Sequence, residues 1–289
     1  MEFLSPSTWE EALAAKSEHP DAVPIMGGTD VMVELNFDKH RPPALLDLTR
    51  IAELREWRPD GDGVRLGAGV SYTEITTRLR ERAPALALAS RTVASPQIRN
   101  RGSVGGNLGG ASPAGDAHPP LLATDAVIEL ASVRGVRRVP AREFYLGPRR
   151  TARQSDELIA AVLLPAPAGP QQFAKIGTRN AMVIAVTSFS IAFNARTREI
   201  GTGVGSAGPT PLRATRAEEF LAAEFDWEGG TAPSPAAVAR FGELVASAAR
   251  PIDDVRGSAD YRRHALSVMA RRTLSWAVTD YRKATQRCA

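Results

Sequence analysis

The sequence predicts a globular protein that mixes helices and strands and contains up to two domains. Its 289 residues are enough for one or two domains with a sizeable core. Helix-forming segments alternate with short apolar segments over much of the chain, which is typical of helices packed against sheets. The segment PAPAGP at 165–170 interrupts this pattern and indicates a boundary or a linker.

The first 50 residues alternate between helix and strand. Ser7 and Glu10 have the spacing of a capping box, which predicts that a helix begins there. A short buried strand is expected at 22–25 and another at 44–48. The turn at 27–30 contains two glycines, so the pattern is one of buried elements joined by a glycine turn.

The middle of the chain continues in the same way. Ser71 and Glu74 form a second capping box, which opens a helix after a strand that ends in glycines. Pro96 is expected to end the next helix, because proline lacks the N–H that a helix needs. The predicted elements are a strand at 63–70, helices at 71–82 and 85–94, a short helix from His118 and a strand at 127–131.

The part after the proline-rich segment is predicted to contain strands followed by helices. Two neighbouring strands are expected at 174–176 and 183–193, and the glycines and prolines at 201–211 predict a turn-rich connection. Helices are expected at 216–223, 234–249 and 261–282.

The charge of the chain does not indicate a nucleic-acid partner. The net charge is +4 and the isoelectric point is about 9.6, but only four of the 36 basic residues are lysine. The basic clusters at 134–153 and 262–272 lack the interleaved aromatic residues that stack on bases. We therefore expect no nucleic-acid binding.

Cysteine and histidine are too sparse for a metal site. Cys288 is the single cysteine, so this chain cannot hold an iron–sulfur cluster by itself. The four histidines, His19, His40, His118 and His264, lack the spacing of zinc motifs. We see no signal peptide and no apolar run long enough to span a bilayer, so we expect a cytoplasmic chain without membrane insertion.

The most informative segment lies at 99–120 and has the sequence RNRGSVGGNLGGASPAGDAHPP. It contains six glycines, and Asp116 follows them. Glycine lets a backbone approach a ligand closely, and successive free N–H groups form an anion-binding concavity. A flexible linker is the alternative, but it does not account for Val104 and Asn107 at fixed places between the glycines. The segment therefore predicts a loop that binds phosphate or pyrophosphate.

A second glycine turn, GGTD at 27–30, lies between two apolar runs. By itself, a glycine pair in such a turn is more often structural than functional. Together the two segments predict a pair of loops that hold the two phosphates of one dinucleotide. Thr29 and Ser103 would donate hydroxyl groups and Asn107 an amide.

Three further side chains have open roles. Asp116 would repel a phosphate, so it either faces a sugar or ring hydroxyl or caps the helix at Ala117. Lys175 lies in an apolar strand, and its partner is either a protein carboxylate or an electron-rich group of a bound cofactor. His118 precedes two prolines, and we expect it at the surface or at a helix cap.

The pattern GxGxxG occurs at 203–208, but it does not predict a Rossmann nucleotide site. That site needs a helix that begins within the glycine loop and points its N-terminus at the pyrophosphate. Pro209 and Pro211 follow the last glycine, so a helix could begin only after them.

Four segments resemble the FAD-binding, or medium, subunit of the molybdenum hydroxylases. This family includes the xanthine dehydrogenase, carbon monoxide dehydrogenase and hydroxybenzoyl-coenzyme A reductase types. PIMGGTDVMVEL at 24–35 and QIRNRGSVGGNLGGASPAGDAHPPLLATDA at 97–126 look like its two cofactor loops. AKIGTRNAMVIAVTSFSIAF at 174–193 and RGSADYRRHALSVMARRTL at 256–274 agree with its later part, so the resemblance covers nearly the whole chain.

The resemblance implies an α+β fold with noncovalently bound FAD. An FAD-binding domain of the vanillyl-alcohol-oxidase (PCMH) type is expected at 1–168, with subdomains at about 1–53 and 54–168. A smaller α+β domain, with a three-stranded sheet and helices, is expected at 171–286. No catalytic side chain and no metal ligand are expected on this chain. The expected FAD contacts are Pro24, Ile25, Met26, Gly27, Gly28, Thr29, Asp30, Val31, Ser103, Val104, Gly105, Gly106, Asn107, Asp116, Ile159 and Lys175.

Val183 is a departure from the family pattern. Members often carry an aspartate near the end of the segment that matches 179–185, and Val183 stands at that position. The resemblance therefore leaves open which group flanks the flavin ring on this side.

The resemblance also implies partner chains. A large subunit would carry a molybdenum–pterin cofactor and a small subunit two 2Fe–2S clusters, arranged as a dimer of heterotrimers. The FAD subunit would accept electrons from the clusters and pass them to NAD⁺, oxygen or a quinone. Two alternatives stay open: a stand-alone FAD oxidoreductase of the same fold, and a structural subunit without FAD.

Overall fold

The computed structural model describes residues 1–39 and 41–288. His40, one of the four histidines considered above, lies outside the described residues. Two hydrophobic cores are present, one built from residues between Ala12 and Leu164 and the other from residues between Phe189 and Tyr281. The mixture of helices and sheets is the one that the sequence predicts.

The first core begins with a three-stranded parallel sheet in the order β1-β3-β2. The two helices of this part follow β1 and β2. Its elements are β1 (Glu2–Leu4), α1 (Trp9–Glu18), β2 (Val23–Ile25), α2 (Val31–Asn36) and β3 (Ala44–Asp47).

The capping box of α1 lies one residue later than the sequence predicts. Thr8, not Ser7, accepts from the backbone N–H of Glu11, and the Glu11 carboxylate accepts from the N–H of Thr8. Ser7-Thr8 followed by Glu10-Glu11 fits the motif in either register, so the sequence alone does not select one.

The rest of the first core is a five-stranded antiparallel sheet in the order β4-β5-β10-β6-β7, with helices packed against it. A 3₁₀ helix at Ala52–Arg55 precedes it. The elements are β4 (Trp57–Asp60), β5 (Gly63–Gly67), α3 (Tyr72–Arg78), α4 (Pro84–Thr92), α5 (Pro96–Arg101), α6 (Val104–Gly110), α7 (His118–Ala123), β6 (Val127–Ser132), β7 (Gly135–Pro140), α8 (Ala141–Phe144), β8 (Tyr145–Gly147), β9 (Arg150–Thr151) and β10 (Leu158–Leu164).

The glycine-rich segment is more ordered than the loop that the sequence predicts. Pro96 does not end a helix but occupies the first position of α5, where its missing N–H costs nothing, and Ser95 caps that helix. Ser71 caps α3 as predicted. Four of the six glycines then lie in the short helix α6.

The second core is a three-stranded antiparallel sheet in the order β11-β12-β13, with three helices packed on it. Its elements are β11 (Gln171–Ile176), β12 (Thr187–Asn194), β13 (Glu199–Gly205), α9 (Thr215–Glu224), α10 (Pro235–Ala248) and α11 (Ala259–Cys288). The predicted second strand begins four residues too early, because residues 183–186 belong to the connection between β11 and β12.

The first part of the predicted turn-rich connection, residues 201–205, belongs to strand β13 instead. A side chain at Gly201 or Gly203 would meet the backbone carbonyl of Ala123 or Pro119, so these glycines let α7 lie directly on the strand. The GxGxxG pattern begins in this strand, and the next helix starts only at Thr215. No helix begins within that loop, all of which the structure describes, and this confirms that it is not a Rossmann turn.

Helices of the first core also hold the two cores together. Helix α7 packs on β12 and β13, and α4 packs on β11. The strand that carries Lys175 is thereby brought against the glycine-rich segment of the first core. This contact forms part of the candidate site.

Candidate functional site

The turn after β2 offers a row of unsatisfied backbone donors. The N–H groups of residues 27–31 donate to no backbone carbonyl of the described chain, although the next N–H, that of Met32, bonds to the carbonyl of Gly28 at 3.1 Å. Gly28 has φ +74°, a conformation that glycine adopts without a steric penalty. Successive free N–H groups in a turn can bind an anion.

The structure brings the two glycine segments into contact. A side chain at Gly27 would meet the backbone carbonyl of Arg101, and its Cβ would lie 3.2 Å from the nitrogen of Gly102. The Nε of Arg101 donates to the carbonyl oxygen of Gly27 at 3.3 Å. The predicted phosphate turns are therefore neighbours in space, although about 70 residues separate them in the chain.

The second segment contributes space rather than a row of donors. The N–H of Gly105 bonds to the carbonyl of Ala68 at 2.9 Å, and that of Gly106 bonds to the capping hydroxyl of Ser103 at 3.1 Å. Gly106 itself faces an opening, because the nearest atom to an added Cβ would be Ser103 Oγ at 3.4 Å. The predicted row of successive exposed N–H groups is therefore interrupted at Gly105 and Gly106.

Most remaining residues of the two segments are held by contacts with the rest of the protein. Pro24 and Ile25 pair with β3, and Val104 is fully buried. The Met26 side chain abuts Gly69, and Asn107 Oδ1 accepts from the N–H of Ala117 at 3.2 Å. Such residues can approach a ligand through their backbone or through the free edge of a side chain.

Asp30 links the first turn to the far end of α6. Its Oδ2 would lie 3.7 Å from a Cβ on Gly110. Burial and the charge of Glu34 raise the pKa of Asp30, and the nearby Arg149 opposes that shift. Thr29 lies between Asp30 and the glycines, half-buried.

Asp116 and Lys175 form a buried ion pair between the two cores. Lys175 Nζ donates to Asp116 Oδ2 at 2.6 Å and to the carbonyl of Thr92 at 3.1 Å, and both side chains are less than a tenth exposed. Burial raises the pKa of Asp116 to about 6, while Lys175 and the Thr92 hydroxyl favour the ionised form. Asp116 Oδ1 is buried without a hydrogen-bond partner in the described chain, so it has capacity for a ligand donor.

The structure answers the protein side of two questions that the sequence leaves open, on Asp116 and on Lys175. Helix α7 has no side-chain cap, so Asp116 does not cap it, and the protein partner of Lys175 is a carboxylate. Ile159 lies on β10 and would be 3.9 Å from a Cβ on Gly109. It therefore borders the exposed glycine face of α6.

The prediction for His118 is wrong. The ring is fully buried and its Nδ1 lies 2.8 Å from the hydroxyl of Tyr145. Burial lowers the pKa of His118 to about 3, so the ring is neutral at physiological pH. Gly115 makes room for it, because a side chain there would overlap the imidazole. No local pattern indicates Tyr145, which lies 27 residues further along the chain.

Tyr72 is a site-adjacent residue that sequence reasoning missed. It is buried beneath Gly102, and burial together with the charges of Asp116 and Asp30 raises its pKa well above the usual value. Its ring contacts the glycine-rich segment at Gly102, and the charges of both carboxylates act on its pKa. Capping-box spacing locates the start of its helix, but not this contact.

Val183 lies in the connection after β11. A side chain at Gly177 would overlap Val183, so the two residues are in close contact. The neighbouring Met182 and Ile184 are more than half exposed. The position at which the resemblance implies an aspartate is therefore held by an apolar contact in this chain.

The arrangement can hold an extended anionic ligand. One turn supplies donors, the adjacent helix supplies an exposed glycine face, and a buried ion pair with an unpartnered oxygen lies beyond them. Within residues 1–39 and 41–288, no group of three His, Cys, Asp or Glu side chains is placed to hold a metal ion. No helix in this part of the chain is long and apolar enough to cross a membrane. The free donors, the glycine face and the ion pair together suit a dinucleotide held without a Rossmann turn.

Comparison with known proteins identifies the family. Residues 1–167 match the FAD binding domain in molybdopterin dehydrogenase, and residues 172–277 match the CO dehydrogenase flavoprotein C-terminal domain. The chain belongs to the FAD-binding subunits of the molybdenum hydroxylase family, which are subunits of oxidoreductases. The resemblance found in the sequence is thereby confirmed, as is FAD as the cofactor of this chain.

Individual relatives match over most of their length. The chain is 33% identical to the nicotinate dehydrogenase FAD-subunit of Eubacterium barkeri, over 76% of this chain and 79% of that one. It is 30% identical to the xanthine dehydrogenase FAD-binding subunit of Escherichia coli O157:H7, over 94% of each. A chain of the carbon monoxide dehydrogenase from Hydrogenophaga pseudoflava superimposes with a TM-score of 0.88 at 28% identity, over 97% of this chain and 98% of that one.

Proposed function

We propose that this chain is the FAD-carrying electron-transfer subunit of a heteromeric molybdenum hydroxylase. The observation that carries the proposal is the row of free N–H groups at 27–31, whose first residue lies against Arg101 and Gly102 of the glycine-rich segment. The diphosphate of FAD needs donors on one side and space for its oxygens on the other. This pair of turns has both properties, so the residues present fit the group.

The protein's own contribution is to bind and orient the flavin. The N–H groups of Gly27 and Gly28 would hold one phosphate, and the exposed face of Gly106 would admit the other close to the backbone. Asp116 Oδ1 would accept a hydrogen bond from a hydroxyl or ring N–H of FAD. Lys175 keeps that carboxylate in place, and Ile159 would border the ring.

The bound flavin supplies electron transfer between the partner chain's clusters and a terminal acceptor. No side chain of the site needs to move a proton in this scheme, and His118, held neutral and bonded to Tyr145, has a packing role. The charge on the Asp116–Lys175 pair is internally balanced, so the pair orients the ligand without adding net charge.

The partners and the domain division follow from the same assignment. We place the vanillyl-alcohol-oxidase-type FAD domain at 1–168, with subdomains at about 1–53 and 54–168, and the C-terminal domain at 171–286. The complex would contain a large subunit with the molybdenum–pterin cofactor and a small subunit with two 2Fe–2S clusters, as a dimer of heterotrimers in the cytoplasm. Relatives named as medium subunits support the existence of larger and smaller partners. NAD⁺, oxygen or a quinone would take the electrons.

Purification from the native source, with an affinity tag on this chain, tests the proposal. We expect a flavin absorption spectrum and co-purifying chains that contain molybdenum and iron. A yellow chain without partners that oxidises a substrate alone would support a stand-alone oxidoreductase instead. A colourless chain within an active complex would indicate a structural subunit.

A further inference from the structure

Arg101 lies at the junction of the two glycine turns. It is the last residue of α5, and its backbone carbonyl is the group that excludes a side chain from Gly27. Its Nε donates to the carbonyl oxygen of Gly27 at 3.3 Å, and this is the one hydrogen bond of its side chain within the described residues. The guanidinium is exposed, so its terminal nitrogens keep their donors for a ligand.

Two other cations near the turns are already paired with carboxylates. Lys175 is paired with Asp116, and Arg149 is paired with Glu34. Asp30 adds a carboxylate beside the turn. A diphosphate carries two negative charges, and free N–H groups supply only partial positive charge.

We propose that Arg101 is the cationic diphosphate ligand of this site, an inference that rests on the proposed function. The bond from Nε to Gly27 fixes the plane of the guanidinium beside the turn. Its terminal N–H groups then donate to phosphate oxygens held by the N–H groups at 27–31. Arginine suits this role because its planar fork can donate two parallel hydrogen bonds to one phosphate.

The test measures FAD affinity of the full chain after the cofactor has been removed. Arg101→Gln should weaken FAD binding by roughly 10-fold to 100-fold, the range for losing hydrogen bonds to a charged group. ADP, which carries the diphosphate without the flavin, should be weakened by a similar factor in competition with FAD. Arg101→Lys keeps the charge but not the fork, so its affinity should fall between those of wild type and Arg101→Gln.

A matched control separates a local effect from a general loss of positive charge. Arg272 is exposed on α11 in the second core, so Arg272→Gln makes the same chemical change away from the turns. It should leave FAD affinity unchanged. The dependence of FAD affinity on salt concentration should become shallower only in Arg101→Gln.

The outcomes distinguish this inference from the proposed function. If the wild-type chain does not bind FAD, the proposed function is overturned and this inference with it. If wild type binds FAD and Arg101→Gln binds it equally well, only the role of Arg101 is overturned. Riboflavin has no phosphate, so its affinity should not depend on Arg101. If Arg101→Gln loses as much affinity for riboflavin as for FAD and also has a lower melting temperature, the arginine is structural and its proposed role is overturned.

Discussion

Substitution of Gly106 by alanine should have opposite effects on the folded chain and on FAD binding. Gly106 is in the first turn of α6, and an added Cβ would approach only Ser103 Oγ, at 3.4 Å. The FAD-free chain can therefore accept a methyl group there. If a phosphate of FAD lies against this glycine, the same methyl group occupies space that the ligand needs.

The gain in folding stability and the loss of FAD affinity have different physical causes. Alanine in place of a helical glycine stabilises a chain by about 0.5–1 kcal/mol, because glycine loses more backbone entropy on folding. Forcing a methyl group into a close-packed contact costs about 1–3 kcal/mol. The second term corresponds to an increase of roughly 5-fold to 150-fold in the dissociation constant of FAD.

Gly27→Ala provides the contrast. Its Cβ would meet the carbonyl of Arg101, with the carbonyl carbon at 2.7 Å, and neither backbone can yield without separating the turns. This variant should lose both stability and FAD affinity. Gly28→Val is less informative, because φ +74° strains any side chain whether or not a ligand is present.

Urea denaturation of the FAD-free chain and titration with FAD measure the two effects separately. Gly106→Ala should unfold at a higher urea concentration than wild type and bind FAD more weakly. Wild-type FAD affinity in Gly106→Ala would refute the placement of the diphosphate beside α6. A destabilised FAD-free Gly106→Ala chain would instead show that the space at this glycine is not open.

Two pH-dependent predictions concern buried charges. Burial raises the pKa of Asp116 from 3.8 to about 6, so folding favours its protonated form and the stability due to this group falls as the pH rises from about 4 to about 6. The free energy of unfolding of wild type relative to Asp116→Asn should therefore fall by up to about 3 kcal/mol over that window in urea titrations, and a constant difference would contradict the shift. Lys16 is almost fully buried, donates to the carbonyls of Pro20 and Ala22 at 2.6 Å each, and has a pKa lowered from 10.5 to about 8 by burial. Wild type should therefore gain stability relative to Lys16→Met between pH 8 and pH 10.5, and a difference that stays constant over this range would show that the ammonium is solvated.

The sequence predicts where the cofactor turns are, but not what each glycine does. Composition identifies both glycine segments, and apolar patterning identifies the strand before the first. The steric roles depend on contacts across the fold: Gly27 meets Arg101, and Gly105 meets Ala68. Such contacts leave no trace in local spacing.

Two sequence-based predictions that the structure contradicts failed for the same physical reason. The segment that forms β13 is predicted as turns because Gly201 and Gly203 are typical of turns, whereas here they permit α7 to lie against the strand. His118 is predicted at the surface because two prolines follow it, yet Tyr145 and the missing side chain of Gly115 create a buried space for its ring. In each case a distant element overrides the local preference.

The ion pair shows why the two cores act together at the site. Lys175 comes from the first strand of the second core, and Asp116 from the glycine-rich segment of the first, 59 residues earlier. Without Lys175, Asp116 would be a buried carboxylate whose charged form has lost its strongest stabilising partner. Without β13, the backbone of α7 that follows Asp116 would lose the surface on which it lies. The second core therefore positions a residue of the proposed FAD site, and the first core does not contain that site by itself.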